Sequence, residues 1–164
     1  MLASISAYTI SIWIHVSAVV IGFGATFAEA LMFPVAMSVD KRHLPFVHKL
    51  GIAINRRLAN PALLVILITG VYQTAKGDWK FGSFWISATF VIVIVLGGLL
   101  GSYFIPRDKK LAKLVERDIA ASGDGEIVLS EEYQRGARQI GAVGAFAGFL
   151  VIAAVFLMVT KPGA

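Results

Sequence analysis

Residues Phe84 to Ile105 read FWISATFVIVIVLGGLLGSYFI, without a single charge. The run Val91-Ile92-Val93-Ile94-Val95 has the β-branched composition of a strand. In hydrocarbon, however, an unpaired strand leaves its N–H and C=O groups unsatisfied, whereas a helix pairs them internally. A bilayer core about 30 Å thick takes roughly 20 residues of helix, so this segment is the length of one crossing.

Three other segments have the same character. Ile5 to Met37 is broken only by His15 and Glu29 and exceeds one crossing, which predicts tilt or a partly extramembranous end. Leu58 to Ala75 is short and carries Asn60-Pro61 near its start, a pair that suits an N-cap followed by the first helical position, or else a kink. Ile140 to Val159 ends before Lys161-Pro162. The expected fold is all-α: a polytopic membrane four-helix bundle forming one domain over 1–164, with crossings at 5–37, 58–75, 84–105 and 140–159 and loops at 38–57 and 106–139. A hydrophobic content of 57% and a mean hydropathy of +0.78 agree with bilayer as solvent. Ala28-Glu29-Ala30 looks like a leader cleavage site, but no basic region precedes an apolar run too long for a signal core, so the segment is read as a retained crossing.

The net charge of +5 sits in the gaps between apolar runs, which points to orientation and lipid headgroups rather than to nucleic acid. One loop carries Lys41, Arg42, Lys49, Arg56 and Arg57, and the other Arg107, Lys109, Lys110, Lys113, Arg117, Arg135 and Arg138. Both are expected in the cytoplasm, with both termini outside a bacterial cytoplasmic membrane. Trp13, Trp79 and Trp85 then fall toward the outer interface as anchors. Within the loops, Leu111, Leu114, Val115 and Ile119 face away from Lys109, Lys110, Lys113 and Arg117, which predicts a basic amphipathic helix lying on the inner leaflet. Val47, Leu50, Ile54 and Leu58 form a similar stripe ahead of the second crossing. Ser130, followed by Glu131 and Glu132, is expected to cap a helix running into the fourth.

Small residues let membrane helices approach closely. Ala137, Gly141 and Ala145, with Gly144 and Gly148, make two overlapping small registers, and Gly97, Gly98 and Gly101 a flat patch. Packing inside the bundle is the expected use, and a homodimer or membrane-complex face the alternative.

Polar residues at membrane depth are costly and usually face a bundle interior. His15, Gly22 and Glu29 recur every seven residues and so fall within about 40° of one another on a helix. With Ser11, Thr26 and Ala18 they give the first helix a small, polar face, the candidate site for a ligand, haem, a metal or a proton path. Glu29 also reads as a residue near the cytoplasmic interface, and His15 as one bonded to a neighbouring helix. Asn60, Thr69 and Gln73 are the candidate partners. His43 and His48 point about 140° apart and are expected at the interface. Haem b commonly uses two histidines, so a haem here pairs His15 with lysine, methionine or a vacant position. Copper through Met32, Met37 and His43 is a weaker reading. No cysteine is present, and no phosphate loop or hydrolase motif occurs, so an enzyme is not the expectation.

Trp13-Ile14-His15-Val16, Gly22, Gly24, Phe33-Pro34, Leu67-Ile68-Thr69-Gly70 and the closing Leu157-Met158-Val159-Thr160-Lys161-Pro162 resemble the bacterial integral membrane proteins of the domain-of-unknown-function 2269 family. The resemblance implies a four-helix fold. Through distant kinship with copper-resistance D domains and haem-J-type proteins, it implies that His15 can ligate haem or metal. Relatives carry a tryptophan before the paired glycines where this chain has Ile21, and the haem-J-type intramembrane lysine has no counterpart in a crossing. An accessory subunit and a haem-dependent oxidoreductase are the alternatives to a ligand-binding or conducting protein.

Overall fold

The computed structural model describes residues 6–163. Helix α1 spans Ala7–Val39, opened by Ser6, whose hydroxyl accepts the Thr9 amide at 3.1 Å. Its 33 residues include the expected crossing apart from the capping Ser6 and from Ile5, which lies outside the described residues. Next comes a continuous rod, Lys41–Lys76, built of a 3₁₀ turn at Lys41–His43, α2 at Leu44–Ile54, a π turn at Asn55–Ala59 and α3 at Asn60–Lys76. A second rod, Phe84–Ser122, joins α4 at Phe84–Gly98 through a π turn at Leu99–Phe104 to α5 at Ile105–Ser122. The last helix, α6, runs unbroken over Glu131–Thr160 from the Ser130 cap. Four helices are thus long and apolar enough to span a membrane.

Asn60 is neither a cap nor the site of a break. Its backbone is helical, and a π turn lies immediately before Pro61, just as another lies before Pro106. A proline cannot donate to the preceding turn and its ring crowds that turn's carbonyl. A wider turn relieves the crowding, so both rods continue through a residue that would otherwise end them.

In the spanning half, α1 packs along α3 and α4 along α6, with α3 against α4 and α1 touching α6. Ala18, Phe23, Ala62, Ile66, Val93 and Val151 belong to the core they enclose. Outside it, Trp13, Val20, Leu31, Ile68, Ile94 and Phe149 are exposed, the inverse of a water-soluble surface. In the basic half, α2 packs on α5 and α5 on the start of α6 around Leu44, Leu111, Val115, Ile127, Leu129 and Tyr133.

This second core corrects two expectations. Leu111 and Val115 are buried against protein, so α5 continues a crossing helix and does not lie flat on the leaflet. On α2 the buried face is Leu44, His48, Gly51 and Asn55, while Val47, Leu50 and Ile54 are half-buried and Leu58 is exposed. Trp85 is also not an interface anchor. It is 5% exposed, with Trp79 edge-on at 5.2 Å, and Trp13 alone of the three is fully outside.

The glycines divide in the same way. A Cβ on Gly22 would sit 2.5 Å from the Ala62 Cβ, so Gly22 is what lets α1 and α3 touch. At Gly97, Gly98, Gly101, Gly141 and Gly144 a Cβ would meet nothing within 4 Å, so those registers do not make close contacts inside the bundle as expected.

Candidate ligand sites at membrane depth

The polar face of α1 does not serve one site. Gly22 is closed against Ala62, and Phe23 lines both of two cavities, one holding His15 and the other Glu29. His15 and Glu29 are therefore separated by apolar packing rather than joined by a polar track.

The first cavity measures about 440 Å³, within the range of small-molecule pockets. His15, buried on α1, places Nδ1 2.7 Å from Thr69 Oγ1 on α3. The Thr69 hydroxyl has one proton and directs it to the Val65 carbonyl at 2.6 Å. Thr69 must then accept from His15 Nδ1–H, which leaves Nε2 of the neutral ring with a free lone pair. Gly70 lies beside the ring, and Gln73 is held to Ser11 by bonds of 3.0 Å to its carbonyl and 3.1 Å to its hydroxyl. Thr69 and Gln73 are thus the partners expected from sequence, whereas Asn60 takes no such part. Trp85 also lines the cavity, and its buried Nε1–H has no partner among the described residues. Met158 lines it from α6, as does Lys161, whose ammonium lies 4.6 Å from the Trp79 ring centre.

The second cavity, about 640 Å³, lies between α1, α4 and α6 and reaches the basic half of the molecule. At its polar end His48 bridges three elements. The Asp108 carboxylate accepts from Nδ1–H at 2.9 Å, and Nε2 accepts from the Tyr133 hydroxyl at 2.9 Å. Burial, and then the charges of Asp108 and Asp118, hold the Tyr133 hydroxyl above its usual pKa, so it keeps the proton it donates. His48 is 5% exposed, its ring turned into the protein, while His43 is exposed. Glu29 is half-buried and lines this cavity together with His48 and Asp108. No group of three metal-ligating side chains occurs among the described residues, so neither cavity offers a bare metal ion a full set of ligands.

Sequence reasoning missed His48, Asn55, Asp108 and Tyr133. The available signal was the spacing of Leu44, His48, Gly51 and Asn55, one helix face with small and polar members, which the more apolar stripe beside it concealed.

Four apolar rods with polar groups turned inward define a small polytopic α-helical membrane protein. The chain belongs to the family of predicted integral membrane proteins DUF2269, whose match runs over residues 9–162. No curated protein and no solved structure gives a significant match to it.

Proposed function

We propose that this protein binds one small, mostly apolar molecule in the first cavity and fixes it through His15. The observation that carries this reading is the Nε2 lone pair left by the Thr69 bond, in a cavity that also holds an unpartnered indole N–H. Burying the Trp85 N–H without a partner is costly unless something bound there completes it.

Haem b fits these residues better than a bare ion, because it brings four of its own ligands. His15 Nε2 and Met158 would be the residues that hold its iron, while the Trp85 N–H and Lys161 suit a carboxylate. Bound haem would supply one-electron chemistry. What this chain contributes is a fixed imidazole tautomer, an apolar wall and two donors for an acid group. The basic loops support a bacterial cytoplasmic membrane with both termini outside. The open positions Gly141 and Gly144, with exposed Ala145 beside them, support a second reading, docking of α6 on another membrane helix, either a second copy or a partner, although Gly148 of the same register faces Phe27 within the bundle.

The test is the visible spectrum of protein purified in mild detergent from haem-supplied cells. A Soret band is expected, lost in His15→Ala and shifted but retained in Met158→Leu. A colourless wild type would remove haem, and native mass spectrometry finding no bound molecule would remove the reading altogether.

A further inference from the structure

The second cavity has a chemistry the His15 site does not share. Its polar end carries acceptor atoms that no protein donor meets. Glu29 has no hydrogen-bond or ionic partner among the described residues, and Asp108 uses only Oδ1, toward His48. Both carboxylates converge on Gly51, where a Cβ would meet Glu29 Oε1 at 2.5 Å and Asp108 Oδ2 at 3.8 Å. Asn55, 2% exposed and part of the cavity wall, has an Oδ1 with no partner. His48 Nδ1–H and the Tyr133 hydroxyl are already spent within their own chain of bonds. The lysines and arginines of the loops do not compensate. Lys49 pairs with Glu116 at 2.7 Å and Lys110 with Glu132 at 2.7 Å, and no ion pair reaches Glu29. Away from this end the walls are apolar, with Phe27, Leu100, Phe149 and Ile152 among them. Phe27, Phe149 and Ile152 are also exposed on the outer surface, so the cavity opens sideways toward lipid.

We infer that this cavity binds a primary ammonium group carried on an alkyl chain. The three N–H bonds of such a head match Glu29, Asp108 Oδ2 and Asn55 Oδ1, its charge offsets two carboxylates, and its chain fills the apolar portion. An anion would add charge to two carboxylates. A quaternary ammonium would bring charge but no donor for Asn55. A free alkylamine and the ethanolamine head of a phospholipid share this chemistry. The site is separate from His15, so neither proposal stands or falls with the other.

The test uses the full-length chain in maltoside micelles with decylamine, decyltrimethylammonium or decanoate, and follows the thermal midpoint. Decylamine is expected to raise the midpoint in a saturable way, as a ligand of the native state does, and the other two are not. Glu29→Gln is expected to weaken the apparent affinity about tenfold, the loss of roughly one charge-assisted bond. Gly144→Leu, which places a side chain where a Cβ meets nothing, should block the cavity without disturbing the fold. His15→Ala should leave the response intact. In nanodiscs, a higher midpoint in phosphatidylethanolamine than in phosphatidylcholine, abolished by Glu29→Gln, identifies the lipid as the source, whereas a response to decylamine alone identifies a free amine. An equal response to decyltrimethylammonium, or one unchanged in both Glu29→Gln and Gly144→Leu, overturns the proposal.

Discussion

Asp118 shows what a single buried carboxylate does at the base of α6. Its Oδ2 accepts from the Ser130 amide at 2.8 Å and from the Ser130 hydroxyl at 2.7 Å, while Arg117 donates to Oδ1. Ser130 in turn accepts the Tyr133 amide, so Asp118 holds the cap that starts the last crossing helix. Burial pushes the Asp118 carboxyl up, but the Ser130 bonds and the Arg117 charge outweigh it and hold the group below the usual carboxylate range. A carboxyl lowered in the folded state stabilises fully above its unfolded value and loses that contribution as pH falls through the folded one. Asp118→Asn is therefore expected to cost about 1.5–3 kcal/mol at neutral pH, the usual worth of bonds to a charged group. The check is chemical unfolding of both proteins in detergent from pH 7 downward. The gap between them should stay constant to about pH 4 and narrow below it, and a gap independent of pH would mean that the charge contributes nothing.

At the scale of elements, the contact between α1 and α3 depends on one glycine. The Cβ that Gly22→Ala would add meets another Cβ, that of Ala62, and neither belongs to a flexible side chain that can swing aside. The helices must separate, and overpacking of this kind typically costs about 1–3 kcal/mol. The reciprocal pair Gly22→Ala with Ala62→Gly puts the methyl group on the opposite helix and is expected to recover most of the loss, measured as unfolding in a denaturing detergent. No recovery in the double variant would mean that the close approach is not what Gly22 supplies. The same elements show what a sequence makes legible. The four crossings were readable because hydrocarbon demands long uncharged helices, and the Ser130 cap and the partners Thr69 and Gln73 were readable from local chemistry. The buried face of α2 was not. Amphipathic reading assumes that the apolar stripe turns inward, yet for this helix the more apolar Leu50, Ile54 and Leu58 are less buried than Leu44, His48, Gly51 and Asn55. The continuity of the rods was hidden too, because Pro61 and Pro106 read as helix starts unless the wide turns before them are known.

For the whole molecule, the spanning half buries a few polar groups such as His15 and Thr89 within an apolar core and exposes large apolar side chains, while the basic half has a closed core of its own around Tyr133 and Val115. The second half cannot cross with the first: Lys41, Arg42, Arg107, Lys109, Lys110 and Arg117 decorate it, and moving such charges through hydrocarbon costs several kcal/mol each. On the proposed orientation it stays in the cytoplasm, and the 77–83 connection and Lys161 are expected on the other side. The chain has no cysteine, so single cysteines can be introduced without background. Gly82→Cys and Asp124→Cys both fall on exposed connections outside the helices, so neither is expected to disturb the fold. In intact bacterial cells whose outer membrane has been made permeable, a maleimide that cannot cross the inner membrane is expected to label Gly82→Cys within minutes. Asp124→Cys should react only after the inner membrane is opened. The opposite pattern would invert the bundle, put the His15 cavity on the cytoplasmic side, and make the amine-accepting cavity the one that faces out.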